Sequence, residues 1–162
     1  MNEESHAMIK LREVEKDDLQ VFYEQQLDPE AIFMAAFTAK DPADWEGFQI
    51  HWARILGDES IIIRTILFEG HIAGHILSHA WFGEREVSYW LGREFWGKGI
   101  ATQALAAFLE IIEPRPLYAR VVKDNVASVR VLEKCGFRIS GEDRGFSNAR
   151  GREVEEYILR ID

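Results

Sequence analysis

The sequence predicts a mixed α/β domain in which helices lie on a largely antiparallel sheet of about seven strands. Three observations predict it. Apolar, strand-like runs between residues 60 and 91 are joined by connections too short for a crossover, which favours antiparallel pairing. Stretches with apolar residues at helical spacing lie before and after that run. Between Ser88 and Thr102 a strand, a glycine turn and a helix follow without interruption.

Taken in order, Met8 to Val14 alternates like a strand. Asp17-Asp18 can cap a helix carrying Leu19, Phe22 and Tyr23 on one side. Asp28 to Phe37 is a short helical segment. Asp41-Pro42 begins another, because proline fits a first helical turn; it carries Trp45, Phe48, Trp52 and Ile55 and closes at Gly57. Ser60 to Phe68 is an isoleucine-rich strand, and Glu69-Gly70 turns it into a returning strand, His71 to Phe82, which Gly83 breaks. Glu86 to Leu91 is the next strand.

The second half reads differently. Lys98 to Ile112 has helical periodicity and ends before Pro114 and Pro116. Leu117 to Val122 is a strand, and Asn125 to Cys135 a helix. Gly136 is a left-handed stop that lets Phe137 fold back on Leu132. Phe137 to Asp143 and Glu153 to Ile161 are the last strands, with a turn-rich segment from Gly145 to Gly151.

Composition bounds the function. A chain of 162 residues suits one domain, 1–162, with no linker or repeat. A net charge of −9 would repel nucleic acid and mildly favours a cationic substrate. One cysteine, Cys135, excludes an intrachain disulfide. The acidic N-terminus lacks the apolar core of a signal peptide, and no apolar run reaches bilayer length, so the expectation is a cytoplasmic protein without membrane association.

The glycine turn carries the chemistry. Gly97 and Gly99 let the backbone bend and a ligand come close, and the first amides of the following helix suit a phosphate, with Lys98 at the rim. A dinucleotide fingerprint would need a third glycine where Thr102 stands. A nucleotide P-loop matches from Gly92 through Lys98, but Gly99 replaces the magnesium-binding hydroxyl, and Phe95 and Trp96 crowd the loop. An ordinary strand-to-helix turn is the remaining reading.

Two blocks extend this turn: Trp90-Leu91-Gly92 with Phe95-Trp96-Gly97-Lys98-Gly99-Ile100-Ala101-Thr102, and Val122-Lys123-Asp124-Asn125 with Ser128 and Val131 to Phe137. In this order, with one strand between them, they resemble the GNAT superfamily of N-acetyltransferases over essentially the whole chain. The likeness is strongest to the branch of ribosomal-protein N-terminal acetyltransferases. It departs in having Glu94 where Gln or Arg is usual, and Leu132 where many relatives carry a tyrosine acid.

The resemblance implies an acetyl-CoA-dependent acyltransferase acting on a primary amine, without a metal. Trp96, Gly97, Lys98, Gly99, Ile100, Ala101 and Thr102 would hold the coenzyme pyrophosphate. The strands at 86–91 and 117–122 would splay, with the pantetheine arm along the first and the thioester near Trp90 and Leu91. Asn125 would bond the pantetheine; as a residue it also suits a helix cap. Glu86 is the expected base, ahead of Glu84, His79 and Ser88, and Ser128 the group returning a proton to sulfur. Trp45, His51 and Trp52 would border the acceptor, near the loop Phe146 to Arg150. Dimers are common among relatives, so a homodimer is an expectation of the same kind. The other class of function is a non-catalytic acyl-CoA-binding module.

Two constellations carry less. His71, His75 and His79 recur every four residues but fall in a strand, where such a step spans roughly 13 Å, too far for one metal ion. Cys135, beside Gly136 on an apolar helix side, reads as a buried structural thiol.

Overall fold

The computed structural model describes residues 8–162. The expectation about a signal peptide falls largely on residues 1–7 and lies outside the described residues. Seven strands form one sheet in the order β1-β2-β3-β4-β5-β7-β6. They are β1 (Ile9–Arg12), β2 (Ile62–Phe68), β3 (His71–His79), β4 (Glu86–Leu91), β5 (Leu117–Val122), β6 (Arg138–Ser147) and β7 (Arg152–Ile161). The helices are α1 (Asp18–Gln26), α2 (Pro29–Ala35), α3 (Trp45–Gly57), α4 (Ile100–Ile111) and α5 (Val126–Lys134).

Every strand pair is antiparallel except β4 with β5, which is parallel and in register only at Glu86 and Tyr118. Beyond that point the two central strands diverge, as expected. The sheet carries a core on each face. On one, Val87 and Leu91 of β4 and Leu117, Ala119 and Val121 of β5 pack with Ile100, Leu105 and Phe108 of α4 and Leu132 of α5. On the other, Phe22 of α1 and Phe48, Trp52 and Ile55 of α3 pack with Ile63 and Leu77. Period-two alternation therefore assigns each β4 side chain to one helical layer or the other.

Several boundaries differ from the sequence expectation. Asp41-Pro42 precedes its helix: Asp44 is the cap, accepting from Gly47 N–H at 3.0 Å, and α3 begins at Trp45. Asp17 makes no cap bond, and Asp18 is buried, where it accepts from Arg12, Thr65 and the Glu15 N–H. β3 ends at His79, and Trp81 and Phe82 belong to the turn. β6 and β7 are longer than expected, because their ladder continues to Ser147 and Arg152 and leaves a turn of only four residues. The C-terminal stop of α5 forms as expected, with Phe137 N–H bonded to Leu132 C=O at 3.0 Å. No helix among the described residues is long and apolar enough to cross a membrane.

Candidate active site

The gap between β4 and β5 is lined by the backbone of β4. Gly92 N–H bonds to Ala73 C=O on β3, and Tyr118 N–H of β5 bonds to Arg85 C=O. Strand alternation then turns Ser88 and Trp90 backbone groups toward β3, and those of Tyr89 and Leu91 toward the gap. Trp90, expected beside the thioester, therefore turns its backbone groups away from the gap. Its amide serves the β3 ladder, and its indole N–H reaches Gln25 C=O on α1 at 3.3 Å. Tyr89, which the sequence reading did not single out, supplies the edge in its place. Leu91 has its side chain in the core and its C=O taken by the Trp96 indole N–H at 3.1 Å. That bond fastens the glycine turn to the end of β4 and leaves the Leu91 N–H directed at the gap.

The turn has the geometry a diphosphate needs. Gly97 and Gly99 have φ of +74° and +77°, a region glycine enters without steric cost. Gly99 is the cap of α4 and offers no side chain. The first bond of the helix runs from Gln103 N–H to Gly99 C=O, so the N–H groups of Ile100, Ala101 and Thr102 have no acceptor within α4. Ile100 and Ala101 pack their side chains into or against the core, so they contribute through backbone alone. A Cβ built at Gly97 would meet no atom within 4 Å, so the approach is open. Lys98 is exposed at the rim, and Glu94 points to solvent. These groups fit the phosphates of coenzyme A: unpaired amides, a positive helix end and an open approach converge on one spot.

At the closed end of the gap, Glu86 is only 7% exposed and lies 3.3 Å from the Arg120 guanidinium. Arg120 also reaches Asp143 at 2.9 Å and Glu156 at 3.4 Å, so three carboxylates share one cation. Burial pushes the Glu86 carboxyl above the ordinary carboxylate range, and Arg120 offsets part of that rise. Glu156 shifts up for the same first reason, helped by the neighbouring carboxylates. Glu84, the runner-up, lies in the turn before β4. His79, directly opposite Glu86 in the register, is held neutral: burial, aided by Arg85, lowers it to about 4.

On the far side of β4, the Tyr89 hydroxyl lies 2.8 Å from Ser128 Oγ. Burial raises the Tyr89 phenol above its usual value. Asn125 caps α5, its Oδ1 accepting from Ser128 N–H at 3.3 Å, which leaves its NH2 group as the outward donor. The residue before it is also tied down. Arg150 forms two bonds to Asp124, at 2.6 and 2.9 Å, and one to Phe33 C=O at 3.0 Å, with its guanidinium 4.2 Å above the Phe33 ring. The turn between β6 and β7 thus grips both α2 and the entrance of α5.

The three expected acceptor residues do not converge. Trp52 is a core residue, 4% exposed and tilted against Phe22 at 5.1 Å. Trp45 stacks on Phe48 at the outer end of α3, and His51 is exposed, 6.2 Å from the Trp81 ring. Cys135 is half-buried, its thiol donating to Thr102 C=O at 3.5 Å.

A mostly antiparallel sheet whose single parallel pair splays at its centre, with a glycine turn and an uncapped helix at the mouth of the gap, defines an acyltransferase class of fold. The chain belongs to the acetyltransferase (GNAT) domain family, which matches residues 9–138. A curated relative, the uncharacterized N-acetyltransferase p20 of Bacillus licheniformis, is 29% identical over 83 residues, 49% of this chain and 47% of that protein. The match thus spans about half the length of that relative. Among solved structures, the spermidine N-acetyltransferase from Vibrio cholerae in complex with CoA and spermine aligns with a TM-score of 0.80 at 17% identity, covering 94% of each chain. Mycobacterium smegmatis RimJ in complex with CoA-disulfide aligns at 0.76 and 21% identity, covering 94% of this chain and 81% of that one. At such identities the likeness is one of fold.

Proposed function

We propose that this protein transfers the acetyl group of acetyl-CoA to a primary amine by direct attack on the thioester. The observation that carries this reading is the split of β4. Its edge amides face a gap with a phosphate-binding turn at the mouth, while Glu86 and Tyr89 stand on opposite faces of the same strand. An amine can thus approach from the α1–α3 face while the thiolate departs toward α4 and α5.

Acetyl-CoA brings a carbonyl activated by a thiol leaving group. The chain's part is to hold and to move protons. The α4 amides and Lys98 grip the diphosphate, Asn125 donates to the pantetheine, and Leu91 N–H stabilises the oxyanion as it forms. The amine arrives protonated, since a primary amine has a pKa of about 10. Glu86, raised by burial, accepts its proton. Tyr89 is three positions beyond Glu86, roughly 10 Å of strand, so Glu86 acts through a water. Ser128 belongs to the face where sulfur leaves, and its hydroxyl, 2.8 Å from that of Tyr89, forms part of the route by which a proton returns there.

The carboxylates around Arg120 favour a cationic acceptor, in keeping with the acidic chain. The Vibrio cholerae enzyme, named for spermidine and solved with spermine, supports a small polyamine as one class of acceptor. The motifs at 90–102 and 122–137 resemble the ribosomal-protein branch, which keeps the protein N-terminus among the acceptors, and RimJ, solved with CoA-disulfide, has the same fold. Trp45 and His51 remain the surface residues assigned to the acceptor. The test is thiol release from acetyl-CoA with purified protein and a panel of polyamines, amino acids, small amines and peptides. Amine-dependent release is expected. Calorimetric binding of acetyl-CoA without release by any amine would leave a binding module instead.

A further inference from the structure

The leaving group of a thioester needs a proton as the carbon–sulfur bond breaks, and Leu132 stands on α5 where many relatives of the resembled family carry a tyrosine for that task. The structure brings a phenol to the same region from another element. Tyr89 is on β4, and its side chain packs against the α4–α5 core and ends 2.8 Å from Ser128 Oγ. Its backbone lines the gap. One residue therefore offers both an edge amide on the thioester side and a hydroxyl on the face where sulfur departs.

We propose that Tyr89 is the acid that protonates the departing coenzyme A thiolate, with Ser128 as its positioning partner and route to solvent. The inference rests on the acetyltransferase reading above. In the step, the ammonium's first proton has passed by way of Glu86 to solvent, and the free amine has bonded to the carbonyl carbon and lost a second proton to Glu86 through water. The carbon–sulfur bond then breaks, its electron pair goes to sulfur, and the phenolic proton follows it. The products are the amide, the thiol and a phenolate. Ser128 gives its proton to the phenolate as it takes one from water, and the hydroxide left is neutralised by the proton that Glu86 releases, which restores all three groups. Nothing is oxidised or reduced.

The surroundings suit the role. Burial raises the Tyr89 phenol, the bond to Ser128 offsets part of that rise, and Cys135 pushes it up again, so the hydroxyl carries its proton as the thiolate forms. The Ser128 N–H is held by Asn125, so its hydroxyl sits on a capped, fixed first turn.

The test compares two acyl donors of the same shape. Acetyl-CoA releases a thiolate, whereas acetyl-seleno-CoA releases a selenolate, a weaker base that leaves without a proton. Tyr89→Phe keeps the ring and its packing and removes only the hydroxyl. With acetyl-CoA, Tyr89→Phe is expected to lower kcat about 10²-fold with KM for acetyl-CoA unchanged. With the selenoester the defect is expected to shrink to a few-fold. Ser128→Ala should show a smaller loss with the same donor dependence. Equal losses with both donors would mean a structural hydroxyl and overturn the proposal, as would full activity of Tyr89→Phe. Wild-type protein inactive with every amine would instead sink the acetyltransferase reading, and the proposal with it.

Discussion

The Arg120 guanidinium lies 3.3 Å from the Glu86 carboxylate, across the one point where β4 and β5 are in register. The ion pair therefore sits at the vertex of the central gap. It sets two opposing influences on the expected base: burial raises the Glu86 carboxyl, and Arg120 pulls it back.

Glu86→Gln is expected to lower kcat about 10²-fold with acetyl-CoA affinity unchanged. A base works when deprotonated, so wild-type rate should rise with pH through a Glu86 pKa above the ordinary carboxylate range. In the variant that limb disappears, and activity persists only at higher pH, where free amine is more abundant. Arg120→Met should move the wild-type limb upward by removing the opposing charge. Rate profiles across pH for the three proteins check this; superimposable profiles would remove Glu86 from the role.

Gly99→Val should abolish acetyl-CoA binding. Its φ of +77° is hostile to a β-branched residue, and the added methyl groups would crowd the amides at the start of α4. Calorimetry on protein verified as folded by circular dichroism is the measurement. Binding at wild-type affinity would refute the phosphate assignment.

Gly74→Ala should cost about 3 kcal/mol in denaturant melts. A Cβ there would lie 1.9 Å from the Trp90 C=O and 3.0 Å from Leu91 Cα, both backbone atoms of β4. The strand must shift, so acetyl-CoA affinity should fall as well. A variant as stable as wild type would show that β4 does not lie so close to β3.

His75 is wedged between the rings of Phe22 and Trp52, at 4.8 and 4.9 Å, with Nδ1 buried and without a partner among the described residues. Burial, with a lesser push from His51, lowers its pKa from 6.5 to about 3. Between those values the unfolded chain binds a proton that the native state does not. Stability is thus full above pH 6.5 and is lost as pH falls toward 3, at about 1.4 kcal/mol per unit. His75→Leu should flatten the fall between pH 6 and 4 relative to wild type. Parallel stability curves for the two proteins would contradict the assignment.

Much of the fold was legible because its signals are local. The bounds of β4 and β5 follow from apolar runs closed by turn residues, and the α5 stop from Gly136 with Phe137. Local signals misplaced the start of α3, where Asp44 competes with Asp41-Pro42 and wins by bonding Gly47 N–H. They also shortened β6 and β7, whose ladder is sustained by cross-strand pairing that spacing along the chain does not encode.

By itself the sequence determined the order of strands and helices, the glycine turn and the identity of the groups that can carry protons, since each depends on neighbours within a few residues. Only the tertiary structure decided that Glu86 pairs with Arg120, that Tyr89 meets Ser128, that Trp52 is core and that the Tyr89 and Leu91 amides, not those of Trp90, face the gap. The reason is the two-residue period of a strand. Which edge and which face a residue presents depends on the register with its partners, and a shift of one position exchanges them all.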